Sequence, residues 1–144
     1  MASNVSAVCA SFKAEILQAI HNLAGGADAL KASLYYQNEG LGSATTAYSA
    51  TGEVSGAGYT AGGKAVTNST APAVSGITAY WTPFSIQWTG LTISSTFDCW
   101  LLYNSSKANR GILVLTFPGQ TVSSGTFTIT MPANAPSTAL IQVS

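Results

Sequence analysis

Charge is scarce in this sequence: only 7% of its 144 residues are Asp, Glu, Lys or Arg, where an ordinary soluble domain carries roughly a quarter. Five basic residues balance five acidic ones. That balance offers no basic field to a phosphate backbone and no polybasic stretch to an anionic lipid surface, so neither nucleic acid nor membrane is an expected partner. Histidine is nearly missing as well. With His21 alone, a multi-histidine metal site cannot be assembled, and a Ser–His–acid arrangement would have to use this one ring. No uninterrupted apolar run is long enough to span a bilayer. Lys13 and Glu15 break the only stretch that could serve as a signal-peptide core, so the mature chain is expected to begin where the sequence does. Two cysteines, Cys9 and Cys99, read as buried thiols of a chain made in a reducing cytosol rather than as a bridge.

What replaces charge is Ser, Thr, Asn, Gly and Ala, and a surface dressed in these repels its neighbours weakly. Such a surface suits a part that assembles. The length fits one domain, residues 1–144, able to bury about 70% of the surface its unfolded form exposes. Sequons at Asn4, Asn68 and Asn104 are what this composition produces by chance, and carry little weight without an export signal.

Val5, Val8, Phe12, Ile16, Ala19, Ile20 and Leu23 recur at intervals of three and four, which predicts one amphipathic α-helix over about 5–23 with His21 on it. Ser3 or Asn4 would cap its start and Gly25-Gly26 its end. Beyond the glycines, short runs rich in Tyr, Trp, Thr, Val and Ile alternate with Gly, Pro, Asn and Ser clusters. Strands are predicted over 29–37, 63–68, 77–84, 85–93, 99–103, 111–117, 125–131 and 140–143. The expected class is therefore mainly β, an antiparallel β-sandwich from about 29 to 144, jelly-roll-like or immunoglobulin-like, with the helix on one face. Phe127, Ile129 and Met131 alternate with threonines as in a strand with one wet face, whereas Ile112 to Leu115 is apolar on both parities and should be central. Hairpin turns are expected at 104–110 and at Pro118-Gly119-Gln120. The stretch 38–62 is too long for a passive connector and reads as an extended arm or a loop ordered by a partner.

Two motifs invite a chemical reading and fail it. Gly58-Tyr59-Thr60-Ala61-Gly62-Gly63-Lys64 matches the first seven positions of a phosphate-binding P-loop, but Ala65 stands where the magnesium-binding hydroxyl belongs and a strand follows where a helix is needed. The carboxylates Glu15, Asp28, Glu39, Glu53 and Asp98 are scattered, and nothing in their spacing suggests the facing pair of a glycosidase. His21 reads as a helix-surface ring or a satisfied buried one. No enzyme activity, cofactor or metal is expected. Trp81, Phe84, Trp88, Phe97, Trp100 and Tyr103 crowd the middle third; both parities are apolar there, which favours a core over a sugar-stacking platform.

Ser11-Phe12-Lys13-Ala14-Glu15-Ile16-Leu17-Gln18-Ala19-Ile20-His21, Leu30-Lys31-Ala32-Ser33-Leu34-Tyr35 and Thr45-Thr46-Ala47-Tyr48 begin a likeness by which the chain resembles a family of small structural proteins encoded by tailed bacteriophages. It continues through Gly52-Glu53-Val54-Ser55-Gly56-Ala57-Gly58-Tyr59-Thr60-Ala61-Gly62-Gly63 and Leu102-Tyr103-Asn104-Ser105-Ser106 to Val122-Ser123-Ser124-Gly125-Thr126-Phe127-Thr128-Ile129. The glycine-rich block is its most specific part, and the aromatic segment from Trp81 to Phe97 departs from it. What the resemblance implies is a virion protein without catalytic residues, foremost a head decoration or cement protein. Such a protein is synthesised in the host cytoplasm and binds the major capsid protein and copies of itself, as a dimer or trimer, on the outer capsid surface. The expected contact residues are Tyr48, Glu53, Val54, Tyr59 and Lys64, in and beside the long stretch, with Phe12 on the helix. The other expectation is a tail, fibre or adhesin-like module holding a receptor or glycan through the aromatic middle third.

Overall fold

In chain order the elements are β1 (Ala7–Val8), α1 (Ala10–Leu17), β2 (Leu30–Tyr36), β3 (Lys64–Val66), β4 (Ala73–Ser75), β5 (Thr78–Trp81), β6 (Ile86–Asn104), β7 (Arg110–Ile129) and β8 (Ile141–Val143). The computed structural model describes residues 2–68 and 70–144; Met1 and Ser69, the middle residue of the Asn68 sequon, lie outside them. The protein is mainly β, with antiparallel sheets and one short helix near the N-terminus. One sheet has the order β1-β7-β6-β2-β3 and the other β4-β5-β8. No helix among the described residues is long and apolar enough to cross a membrane.

The β6–β7 ribbon dominates. The predicted strands 85–93 and 99–103 are one strand, and 111–117 and 125–131 are another, so the expected hairpin at Pro118-Gly119-Gln120 does not exist. Proline cannot donate to a ladder, but a bulge excuses it. Pro118 sits where the register slips between the pairs Cys99↔Thr116 and Phe97↔Gln120. Further slips near Gly90, which adopts φ 62°, and near Ser124, at φ 47°, bend the ribbon sharply. The rings of Phe117 and Phe127 lie 5.3 Å apart, although ten residues of straight strand would separate them by about 33 Å. Phe97 meets both edge-on, at 5.7 and 5.1 Å, so aromatic packing closes the fold of the ribbon. The turn expected over 104–110 is present, at 105–109, with Ala108 and Asn109 in left-handed conformations.

The helix is shorter than its apolar spacing predicts. Residues 7–8 pair with Leu113 and Val114 of β7 instead of joining the helix. At the other end Ala19 takes φ 57°, Ile20 donates to the Glu15 carbonyl and Ala19 to that of Ile16. This is a Schellman stop, normally built on glycine, so Gly25-Gly26 plays no part in it. Phe12 and Glu15 are the buried positions of α1, while Leu17 is 90% exposed. The remaining differences are smaller. β1 and β4 carry no alternation long enough to read, and strands expected over 29–37, 63–68, 77–84 and 140–143 are present but shorter.

Ile112, Leu113 and Val114 are buried inside the larger sheet, as their two apolar parities require, and Phe127 and Ile129 are buried while Thr126, Thr128 and Thr130 face water. Cys9 and Cys99 are free, buried thiols. Cys9 bonds Ile112 from the β1 side of β7, while Cys99 pairs with Thr116 from the β6 side. Four residues of strand, about 13 Å, separate those positions, beyond the reach of a disulfide. Burial pushes the Cys9 thiol up to about 11 and Cys99 to about 12, so neither offers a reactive thiolate.

Candidate functional site

The stretch 38–62 crosses the molecule as a belt tied to its own sheet. Leu41 accepts from Val5 N–H and Ser43 from Ala10 N–H; Thr46 accepts from Gly111 N–H, and Tyr48 N–H donates to Asn109. Glu53 then bridges Tyr35, with Tyr36 N–H donating to Gly52 and Val54 N–H to Leu34. Because β3 pairs only with residues 30–32 of β2, residues 52–54 close the rest of that edge, which would otherwise present unpaired backbone groups.

Glu53 is the clasp of the belt. Its carboxylate accepts from the Tyr48 hydroxyl at 2.7 Å, the Tyr59 hydroxyl at 2.7 Å and Gly62 N–H at 2.8 Å. Tyr59 also accepts from Leu34 N–H, Tyr103 donates to the Gly62 carbonyl, and Tyr48 stacks on Tyr103 at 4.9 Å. Three of the expected contact residues thus meet around one carboxylate. Val54 is in the core, and Lys64 is exposed on β3 with its ammonium on the Gln87 carbonyl. The P-loop likeness dissolves for the same reason: the N–H of Gly62 is held by Glu53, that of Gly63 by Thr60 and that of Tyr59 by Gly56. The glycines serve close packing. A Cβ on Gly56, Gly58 or Gly63 would collide with the backbone of Thr92, Gly90 or Ala32 respectively.

A second polar cluster joins α1 to the tip of the β6–β7 ribbon. His21 lies past the helix and is buried. Its Nε2 lies 2.7 Å from Glu15 Oε2, and its Nδ1 is 3.0 Å from Asn104 Nδ2. Asn104 Nδ2 also donates to Asp28 Oδ2 at 2.7 Å, while Asn104 Oδ1 accepts from Ser106 N–H. Arg110 pairs with Glu15 at 2.6 Å, and Lys107 lies 3.7 Å from Asp28. Both ring nitrogens are occupied, so His21 has none free to act as a general base. Sequence reasoning missed this cluster because its members lie far apart in the chain. The one signal was scarcity: with so few charges, each buried one must have a partner.

Burial opposes ionisation of Glu15, but hydrogen bonds from His21 and Arg110 and the Arg110 charge outweigh it and hold the carboxyl below its usual range. Asp28 is held low in the same way, against burial, by Asn22 N–H, Asn104 and Lys107. Folded pKa values below the unfolded ones give stability that is complete above about pH 4 and is lost as pH falls through the depressed values. Acid unfolding should therefore steepen below pH 4, and Glu15→Gln should flatten that slope when denaturant midpoints are compared from pH 5 to 2. An unchanged slope would remove Glu15 from the account.

The aromatic middle third is packed inward. Trp81, Trp88, Phe97, Trp100 and Tyr103 are all buried, and Phe84 alone of that group is exposed, at 54%. The sequon asparagines are likewise engaged: Asn4 with Tyr36 and Asp98, Asn68 with Leu23 and Trp81, and Asn104 in the histidine cluster. Apolar surface emerges instead around a groove of about 310 Å³ between α1 and the smaller sheet, lined by Phe12, Ile16, Leu23, Ala79, Trp81 and Val143. Val74, Ala79 and Val143 are cross-strand neighbours on one face. Val74 is 72% exposed, Val143 55%, and Ile77 in the adjoining turn 88%. Phe12, expected to make contacts, is buried against His21 with its ring 4.9 Å away. No protein-family model, curated protein or solved structure matches the chain.

Proposed function

We propose that this chain is a non-enzymatic virion structural protein, a capsid decoration or cement protein that binds the outer shell in many copies and stabilises it. The observation that carries the reading is exposed apolar surface, Val143 at the groove, Val74 and Ile77 in the smaller sheet and its turn, and Leu17 on α1, on a chain almost bare of charge. Removing such surface from water gains about 25 cal/mol per Å², with few ionic groups to desolvate in return. Modest contacts then add up over many copies. The body suits the role: the bent ribbon, read as a β-sandwich variant, is clasped by its own belt, so little ordering entropy is lost on docking. The engaged nitrogens of His21 and the inward-facing tryptophans support a structural role in preference to catalysis or glycan stacking.

The partners under this reading are the major capsid protein and further copies of this chain. Added to shells prepared without it, the purified protein should raise their disruption temperature. Val143→Asp with Ile77→Asp, both at exposed positions, should keep the fold and abolish the rise. Shells that disrupt at the same temperature with and without the protein would overturn the proposal.

A further inference from the structure

We propose that the cluster of Glu15, His21, Asn104 and Asp28 is a proton-operated latch: uptake of one proton by His21 frees residues 19–24, one wall of the apolar groove, from the tip of the β6–β7 ribbon. The groove is lined on that side by His21, Asn22, Leu23 and Ala24. The latch concerns the isolated chain, so its failure would leave the shell-binding reading standing.

The orientation of Asn104 fixes the state of the ring. Its Oδ1 accepts from Ser106 N–H and its Nδ2 donates to the Asp28 carboxylate, and turning the amide over would set oxygen against carboxylate and N–H against N–H. Nδ2 therefore faces His21 as a donor, Nδ1 must be the acceptor, and the one ring proton sits on Nε2, donated to Glu15. A proton added at Nδ1 meets the Asn104 amide protons head-on.

Charge counting agrees. The ionised groups around the ring are Glu15 on α1, Asp28 before β2, Lys107 in the ribbon turn and Arg110 opening β7, two of each sign. The other faces carry the Phe12 ring and, across the groove, Tyr80 and Trp81. The cluster is neutral only while the imidazole is neutral. A second ring proton, at Nδ1, would be buried against the Asn104 amide protons with no acceptor, which the protein avoids by letting the segment swing out to water. Asn22 and Ala24 report that motion, since their N–H groups are held by Asp28 Oδ2 and Asn22 Oδ1. Asn68 grips the Leu23 carbonyl and accepts from Gly26 N–H, and neither tie titrates.

The test is made on the whole protein from pH 8 to 5, following the ¹⁵N shifts of the His21 ring and amide exchange at Asn22 and Ala24. Glu15 and Asp28, held below the usual carboxylate range, stay ionised throughout. The expected result is an unprotonated Nδ1 at pH 8. Protection corrected for intrinsic rates should then fall about tenfold per pH unit as the pH is lowered and opening becomes coupled to uptake of one proton, while Val54 in the belt keeps its protection. His21→Gln, which keeps a donor toward Glu15 but cannot titrate, should remove the pH dependence; should that variant not fold, the wild-type ring shifts and exchange decide. A ring doubly protonated at pH 8 beneath protected amides, protection unchanged while the ring titrates, or the same pH dependence in His21→Gln would each overturn the latch.

Discussion

Gly63→Ala is expected to destabilise the protein by on the order of 4 kcal/mol and to lower its Tm by roughly 15 °C. Two independent penalties meet at this residue. Gly63 holds φ +75°, where a β-carbon costs about 1–2 kcal/mol. That carbon would also collide with the Ala32 carbonyl and the Ser33 backbone, atoms fixed in β2, and overpacking a site that cannot yield costs about 1–3 kcal/mol or more. The belt would have to lift from the sheet, taking the Glu53 clasp and the edge of β2 with it. Gly26→Ala separates the penalties: its φ is +76° but nothing lies within 4 Å of the added carbon, so only the conformational cost of about 1–2 kcal/mol remains. Urea unfolding of the two variants side by side checks this. Equal losses would mean that the glycine block does not press on the strand beneath it.

That block shows what a sequence can and cannot disclose. Gly56, Gly58, Gly62 and Gly63 are visible as an oddity, and their first resemblance is to a phosphate cradle, because glycines that admit a phosphate and glycines that admit another strand are the same residues. Only position separates the two, and here the neighbour of Gly56, Gly58 and Gly63 is backbone. The inner character of residues 112–114 and the wet face of the Thr126–Met131 alternation were legible, since side-chain parity depends on the strand alone. The ends of elements were not. A helix from 5 to 23 is the right reading of spacing that counts only apolar residues, but the edge of β7 recruits Ala7 and Val8, and His21 is worth more buried against Glu15 and Asn104 than carried round a third turn. Pro118 misled for a related reason: a proline signals a turn unless a bulge absorbs it, and bulges belong to the pair of strands rather than to either one. Of the expected contact residues, Tyr48, Glu53 and Tyr59 were legible as a group, but not the bonds they make with one another. Tyr48, Glu53 and Tyr59 stand out as the polar and aromatic members of a bland stretch, and the fold turns them toward each other rather than outward.

Glu53→Ala is expected to cost on the order of 4 kcal/mol, and Glu53→Gln about 1–2 kcal/mol. The carboxylate accepts three hydrogen bonds, each strengthened by its charge. Alanine leaves Gly62 N–H and two tyrosine hydroxyls without their acceptor beneath a belt that excludes much of the water. Glutamine keeps one oxygen for Tyr59 and Gly62, and the Tyr48 hydroxyl can rotate to accept from the new amide, so geometry survives while charge assistance is lost. Titration of the tyrosines distinguishes this clasp from a merely well-packed loop. Burial first, and then the Glu53 charge and its hydrogen bonds, raise the Tyr48 and Tyr59 phenols far above their usual range, and burial with Glu53 nearby raises Tyr103 too. Because the folded values are raised, the stability they confer is complete below about pH 10, where free tyrosine titrates, and is lost as pH climbs beyond it. Spectrophotometric titration of Glu53→Gln should find part of the tyrosine absorbance change moved to lower pH, together with a shallower loss of stability above pH 10. If the titration of this variant overlays that of the wild type, Glu53 does not hold those hydroxyls, and the belt is secured by packing alone.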